Sequence, residues 1–165
     1  MYGAAKKYIE ALGNAYTRNY RMQFVSVRVP IVVGSGPGTS TSAWRTELLD
    51  ALGERQQREI LVPFSEDETL SIVHVEDLAK AFVILLSAPT VTHAAYNAPC
   101  EMRRLSDLKK EIESLNENVH VSFGDTAISG FPRRLNCDRF KAEFEYVPQL
   151  SARLREAAEL GRADR

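Results

Sequence analysis

Tyr2 and Lys6 are the residues whose types and spacing best suit acid–base chemistry, because they stand four apart and on a helix that spacing puts two side chains on one face, about a turn apart. A phenol with an unperturbed pKa of about 10 is a poor base at neutral pH, and a neighbouring ammonium favours the phenolate and brings it into working range. On spacing alone the pair has a second reading, a solvated Lys beside a partly buried Tyr. The glycine-rich stretch Gly34 to Ser42 (GSGPGTSTS) follows a strand and precedes a helix, where phosphate cradles occur. Its spelling departs from both known cradles. It has no Lys for a P-loop, and Thr39 stands where a dinucleotide turn beginning at Gly34 needs Gly. A G-x-S-x-G nucleophile elbow is also missing, so a strand-to-helix connection is expected.

His74 ends a strand just before Glu76 and Asp77, but His93 and His120 are remote in sequence, and a structural histidine hydrogen-bonded at the strand end is expected. Arg133, Arg134 and Arg139 form a small basic cluster that either holds a phosphate or is a solvated face. Cys100 and Cys137 form no C-x-x-C and have no His at zinc spacing, which points to neither a disulfide scaffold nor a metal site.

The elements that must position these residues follow from apolar periodicity. Residues 2 to 19 carry Ala5, Ile9, Leu12, Ala15 and Tyr16 at helical spacing and read as a half-buried helix without an N-terminal cap. Gln23 to Val33 is β-branched and apolar on both faces, the pattern of a strand covered on both sides. Pro30 cannot donate to a ladder, so the strand proper is expected to stop near Val29. Trp44 to Leu52 is helical. Ile60 to Phe64 and Leu70 to Val75 form a pair of strands around the acidic turn Ser65 to Thr69. Glu76 and Asp77 open a helix through Leu86, with acids where the macrodipole favours them. Ala94 to Ala98 is a short strand, Ser106 an N-cap for the helix that follows, and Val119 to Phe123 a half-exposed strand. Asp138 to Tyr146 and Leu150 to Leu160 are helices split by Pro148.

This order is α/β in character. It begins with an uncapped helix feeding a buried strand, as in the second half of a βαβ crossover, and the expectation is a chain that is part of a longer one or that borrows neighbours from a partner. The 165 residues are 44% hydrophobic, with 21 Lys plus Arg against 22 Asp plus Glu. That balance gives no global field for nucleic acid or anionic lipid. The longest apolar run, Ala81 to Leu86, is far short of the roughly 18 to 20 residues that span a bilayer. The amphipathic, Lys-bearing stretch after Met1 is unlike a secretory h-region. No nucleic-acid or membrane partner is expected, and the cytoplasm is the expected compartment.

Several separated stretches, in this order, resemble the C-terminal portion of the extended short-chain dehydrogenase/reductase family, the NAD-dependent epimerase/dehydratases, beginning at its Y-x-x-x-K motif. Tyr2-Gly3-Ala4-Ala5-Lys6 looks like the catalytic helix, and Phe24 to Gly36 (FVSVRVPIVVGSG) like the next strand, with Arg28 and Pro30 at the positions of the usual Arg-Pro. Leu70 to Ala79 (LSIVHVEDLA) is similar to the family's F-I-H-V-D-D-V-A segment, Tyr96-Asn97 to its Y-N strand, and Leu135 to Pro148 to its late segment before W-x-P. The resemblance covers nearly the whole chain.

What it implies is the C-terminal half of a Rossmann-like parallel sheet plus the small α/β substrate-binding lobe, with the N-terminal nucleotide-binding half absent. Residues 1–36 would be the Rossmann remnant and 37–165 mainly the substrate lobe, with 70–88 returning to the Rossmann sheet. Tyr2 would be the general acid/base and Lys6 would lower its pKa and bind the nicotinamide ribose. Tyr2, Lys6, Pro30 and Val33 would meet NAD or NADP, and Val32, Thr39, Thr41, Phe64 and Arg133 would line the substrate space. The family's Gly-rich turn, ribose-binding acid and catalytic Ser/Thr lie upstream of its tyrosine, so the resemblance implies a fragment that is inactive alone.

Two departures bear on the substrate. Val32 stands where sugar-nucleotide epimerases usually have Asn, and Thr69 and Leu70 where they have Arg. The stretches PGTSTSAWRTELLDAL and ETLSIVHVEDLAKA also look like the branch that includes threonine dehydrogenases. A sugar, a sugar nucleotide and a small hydroxy acid all stay open as substrates. The competing reading is a non-catalytic interaction module or remnant, with the first helix forming a homodimer, as that helix commonly does in the family.

Overall fold

A computed structural model describes residues 1–36, 42–130, 132 and 134–163, with side chains through residue 160. The chain is a mixed α/β fold with parallel sheets, part of a Rossmann-like domain. Helix α1 (Tyr2–Tyr20) is followed by two three-residue strands, β1 (Ser26–Arg28) and β2 (Ile31–Val33). Helix α2 (Trp44–Asp50) runs into a tight turn at 51–53, and β3 (Arg58–Phe64) and β4 (Thr69–His74) lead to α3 (Val75–Ser87). Then come β5 (Ala95–Asn97), β6 (Glu101–Arg104), α4 (Leu105–Leu115), β7 (Val119–Thr126), α5 (Asp138–Phe144) and α6 (Leu150–Ala163).

The segment expected as one strand over 23–33 is two, in different sheets. Val29 and Pro30 interrupt it: β1 pairs in parallel with β5, placing Arg28 opposite Asn97, and β2 pairs in parallel with β4, placing Val33 opposite His74. The missing N–H of Pro30 ends the first ladder as expected, but the chain crosses to a second sheet instead of ending there. β3 and β4 do not pair with each other. β3 runs parallel to β7, and β4 lies between β2 and the antiparallel β6. β6 carries the polar sequence EMRR, whose lack of apolar alternation concealed it. Ser106 is not the cap of α4 either: Arg104 occupies that position, with no side-chain cap, and the Ser106 N–H donates to the Glu66 carbonyl at 3.0 Å.

The main core joins Ile31 and Val33 of β2 to Trp44 and Leu48 of α2, Ile60 and Val62 of β3, and Ile112 of α4, with Leu154 of α6 closing it. A second cluster joins Ala81 of α3 and Phe140 of α5 to Tyr96 of β5. Tyr96 donates its hydroxyl to Glu143 at 2.6 Å, so the buried ring roots α5 on β5. Helix α3 starts at His74, whose Nδ1 accepts the Glu76 N–H at 3.3 Å. This is the hydrogen-bonded strand-end histidine expected from the sequence. Asp77 does more than complement a helix dipole. It is 2% exposed and accepts from Gln149 N–H at 2.9 Å and from Arg153 Nε and Nη2 at 3.2 and 3.0 Å, which fastens α6 to α3. Among the described residues no helix is long and apolar enough to cross a membrane.

Helix α1 departs from expectation in burial. Gly13 is its buried residue, while Tyr8, Ile9, Leu12 and Tyr16 of its apolar stripe stand exposed.

Candidate active site

Two contacts hold α1 against β1. Gly13 lets the helix approach closely, since a Cβ there would collide with the Phe24 ring. Arg28 at the end of β1 donates from Nε and Nη2 to the two carboxylate oxygens of Glu10, both at 2.8 Å. That hydrogen bond holds the Glu10 carboxyl below its ordinary range, against a smaller opposite pull from burial. Glu10 lies one helical turn beyond Lys6 and two beyond Tyr2, so this anchor sets the same face of α1 over the Val29–Pro30 crossing.

On that face the Lys6 ammonium lies 5.3 Å from the centroid of the Tyr2 ring, within cation–π range. The two residues, with Pro30, line a cavity of about 500 Å³. Its walls are of two kinds. Tyr2, Lys6, Lys7, Glu10 and Arg28 supply polar and charged groups, and Val29, Pro30, Ile31, Leu70 and Leu135 an apolar surface. Ser71 of β4 also reaches it, and its Oγ accepts the Leu135 N–H at 3.3 Å, tying the stretch before α5 to the sheet. A second cavity of about 500 Å³ lies against Tyr2, Lys6, Ile9 and the segment from Phe24 to Val29 that contains β1. Tyr2 is 78% exposed and borders both spaces.

The fold therefore brings Tyr2, Lys6 and Pro30 together. Among the described residues, the other expected contact positions lie elsewhere. Val33 is 3% exposed in the main core, Val32 packs against the cluster of Val73, Leu78 and Ala98, and Phe64 meets Trp44 edge to face with centroids 6.1 Å apart. Thr39, Thr41 and Arg133 lie outside the described residues, while Arg134 and Arg139 are exposed. Gly34 serves backbone packing: its φ is 126°, and a Cβ there would meet Val75 Cγ1 at 2.7 Å. Sequence reasoning missed Glu10, Ser71 and Leu135 as cavity residues. Glu10 was reachable from helical spacing alone, whereas Ser71 and Leu135 meet only through tertiary packing.

An α/β fold of Rossmann type, with a Tyr and a Lys one turn apart on a helix leaning over its strands, defines the class. A model of the NAD-dependent epimerase/dehydratase family matches residues 1–98, and the chain belongs to that family. A comparison with curated proteins finds no match. Among solved structures, the L-threonine dehydrogenase of Phytophthora infestans is similar with a TM-score of 0.80 at 18% identity, over 99% of this chain and 56% of that one. The L-threonine 3-dehydrogenase of Trypanosoma brucei is similar with a TM-score of 0.77 at 21% identity, over 96% and 53%. The UDP-glucuronic acid 4-epimerase of Bacillus cereus, solved with UDP-glucuronic acid and NAD, gives 0.70 at 17% identity, over 99% and 53%. The chain spans about half the length of these structures.

Proposed function

We propose that this chain carries the acid–base portion of an NAD(P)-dependent oxidoreductase or epimerase acting on a small hydroxy acid or a sugar. The observation that carries the reading is the Lys6 ammonium over the Tyr2 ring at the mouth of a cavity walled by Pro30, in a chain of this family. Tyr2 exchanges a proton at its phenolic oxygen with the substrate hydroxyl or carbonyl. Lys6, whose ammonium lies 5.3 Å from the Tyr2 ring centroid, would donate to hydroxyls of the nicotinamide ribose. Val29, Pro30 and Ile31 exclude water from the reacting carbon.

The cavity suits one end of the cofactor. A phenol, an ammonium and an apolar wall fit a nicotinamide riboside, which when bound supplies the site from which hydride leaves or to which it adds. For the pyrophosphate there is no counterpart, since the 165 residues contain no G-x-x-G-x-x-G turn. The chain by itself therefore holds NAD(P) negligibly and turns nothing over. Isothermal titration of the purified chain tests this: no resolvable heat is expected, and micromolar binding contradicts it.

A small hydroxy acid of the threonine kind is favoured as substrate by the apolar Leu70 in the cavity wall, which offers no group to hold a sugar diphosphate, and by the threonine dehydrogenases among the similar folds. A turnover panel of L-threonine and UDP-sugars, run on the product of the full open reading frame containing these residues, separates the two. A second reading, a non-catalytic module that dimerises through α1, is favoured by the exposed Tyr8, Ile9, Leu12 and Tyr16. It predicts a dimer in sedimentation velocity that Leu12→Glu dissociates, and no turnover from any open reading frame that includes the chain.

A further inference from the structure

Cys100 and Cys137 are 37 positions apart, and nothing in their spacing relates them. The fold places them side by side. Cys100 sits in the connection from β5 to β6 and Cys137 immediately precedes α5, and the two stretches are held together where Asn97 Nδ2 donates to the Asn136 carbonyl at 2.7 Å. The sulfurs are 3.2 Å apart, in hydrogen-bond contact, and Cys137 Sγ lies 3.0 Å from the Ala98 carbonyl oxygen. A disulfide is about 2.0 Å long, so a relative movement of about 1 Å separates this contact from a covalent bond. Both thiols are half-buried and both line a surface cavity of about 230 Å³, which gives a small reagent access.

We propose that Cys100 and Cys137 form a thiol–disulfide site, closed by small disulfides of the oxidised-glutathione type. The Cys137 proton leaves to solvent and its sulfur attacks one sulfur of the oxidant. The oxidant's S–S bond breaks, and the departing thiolate takes up a proton. Cys100 then loses its proton and attacks Cys137 Sγ, which breaks the mixed disulfide and releases the second small thiol. The protein pair gives up two electrons and two protons, and one small disulfide becomes two thiols.

Electrostatics agrees with this order. The contact with Cys100 lowers the Cys137 thiol to about 7, against the opposite pulls of burial and of Asp138. The same contact, with burial and the Glu101 carboxylate, pushes Cys100 up, although a hydrogen bond with Ser71 works the other way. The more acidic sulfur attacks first and its neighbour resolves. The closed bond would tie the β5–β6 connection to the stretch carrying Leu135, one wall of the Tyr2 cavity. The site does not depend on the catalytic reading.

The test is incubation of the full chain with oxidised glutathione, alkylation of the remaining thiols and intact and peptide mass spectrometry, run on folded chain and on chain unfolded in guanidinium. The folded chain is expected to lose both alkylatable thiols, to become lighter by two hydrogens, and to yield a Cys100–Cys137 linked peptide. It should close at least about tenfold faster than the unfolded chain, because the fold raises the effective concentration of one thiol at the other. Cys100→Ser is expected to accumulate one glutathione on Cys137. Two alkylatable thiols remaining on the folded chain, glutathione on both cysteines, or closure no faster than in the unfolded chain would overturn the proposal. The folded-against-unfolded comparison decides the matter even if the variant does not fold.

Discussion

Arg28 grips both carboxylate oxygens of Glu10 at 2.8 Å, and this fork joins the end of β1 to the middle of α1. The Arg28 side chain is 57% exposed, so solvent screens the pair and its worth to global stability is at most about 1 kcal/mol. Its effect is local, since α1 has few other attachments. Glu10→Gln is expected to leave the melting temperature nearly unchanged while amide exchange accelerates along residues 2–20 before anywhere else. Equal protection of α1 in variant and parent would show that the fork does not hold the helix.

Gly13 is the other attachment. A glycine in mid-helix costs about 1 kcal/mol relative to alanine, and the close approach of the Phe24 ring accounts for it. Gly13→Val is expected to destabilise by about 1 to 3 kcal/mol through overpacking, read by chemical denaturation. Phe24→Ala in the same chain should recover part of that loss. Additive losses in the double variant would place the strain elsewhere.

Asp77 ties α3 to α6 from a position 2% exposed, with Arg153 as its charge partner. Arg153 keeps Glu76 and Glu156 as partners when the Asp77 charge is removed, so Asp77→Asn is expected to cost about 1 to 3 kcal/mol through the weakened buried hydrogen bonds, measured by urea denaturation. A loss below 1 kcal/mol would mean that water reaches the pair.

Acid acts on this junction in two stages. Burial is the largest influence on His74 and holds it below its ordinary value, with Arg153 acting the same way and Glu76, Asp77 and Glu156 opposing. The unfolded chain therefore binds a proton at about pH 6.5 that the native histidine resists, and stability falls as pH drops from there towards the folded value. Burial of Asp77 raises its carboxyl, but the Gln149 N–H, Arg153 and Tyr146 outweigh it and hold it below its ordinary value. Its contribution is complete above about pH 4 and is lost as pH falls through the folded value. His74→Asn retains a helix-capping side chain and should abolish the first stage alone. Melting temperatures over a range of about pH 3 to 8 check this, and an unchanged first stage in the variant would contradict it.

The helices were legible because their apolar residues recur at three and four: α1, α3 and α6 fall within a few residues of the expected spans. The strands were legible as strands but not as sheets. A β-branched run such as FVSVRVPIVV shows extended backbone, while the partners of its two halves, β5 and β4, lie tens of residues away. The Tyr2–Lys6 pair could be read in advance because one helical turn fixes it. Leu135, Ser71 and the Cys100–Cys137 contact could not, since each depends on how the stretch before α5 lies against β4 and the end of β5. Val33 and Val32, neighbours on β2, point to opposite faces, Val33 into the main core and Val32 towards Val73, Leu78 and Ala98, as the alternation along a strand requires.

The central claim is that the Tyr2 phenol carries the proton in a hydride-transfer reaction. Its most direct test is Tyr2→Phe in the product of the full open reading frame, with nicotinamide absorbance followed against the preferred hydroxy substrate. Turnover is expected to fall by about 10² to 10⁴-fold, with the affinity for the reduced nucleotide changed little. Turnover within a few-fold of the parent would contradict the account.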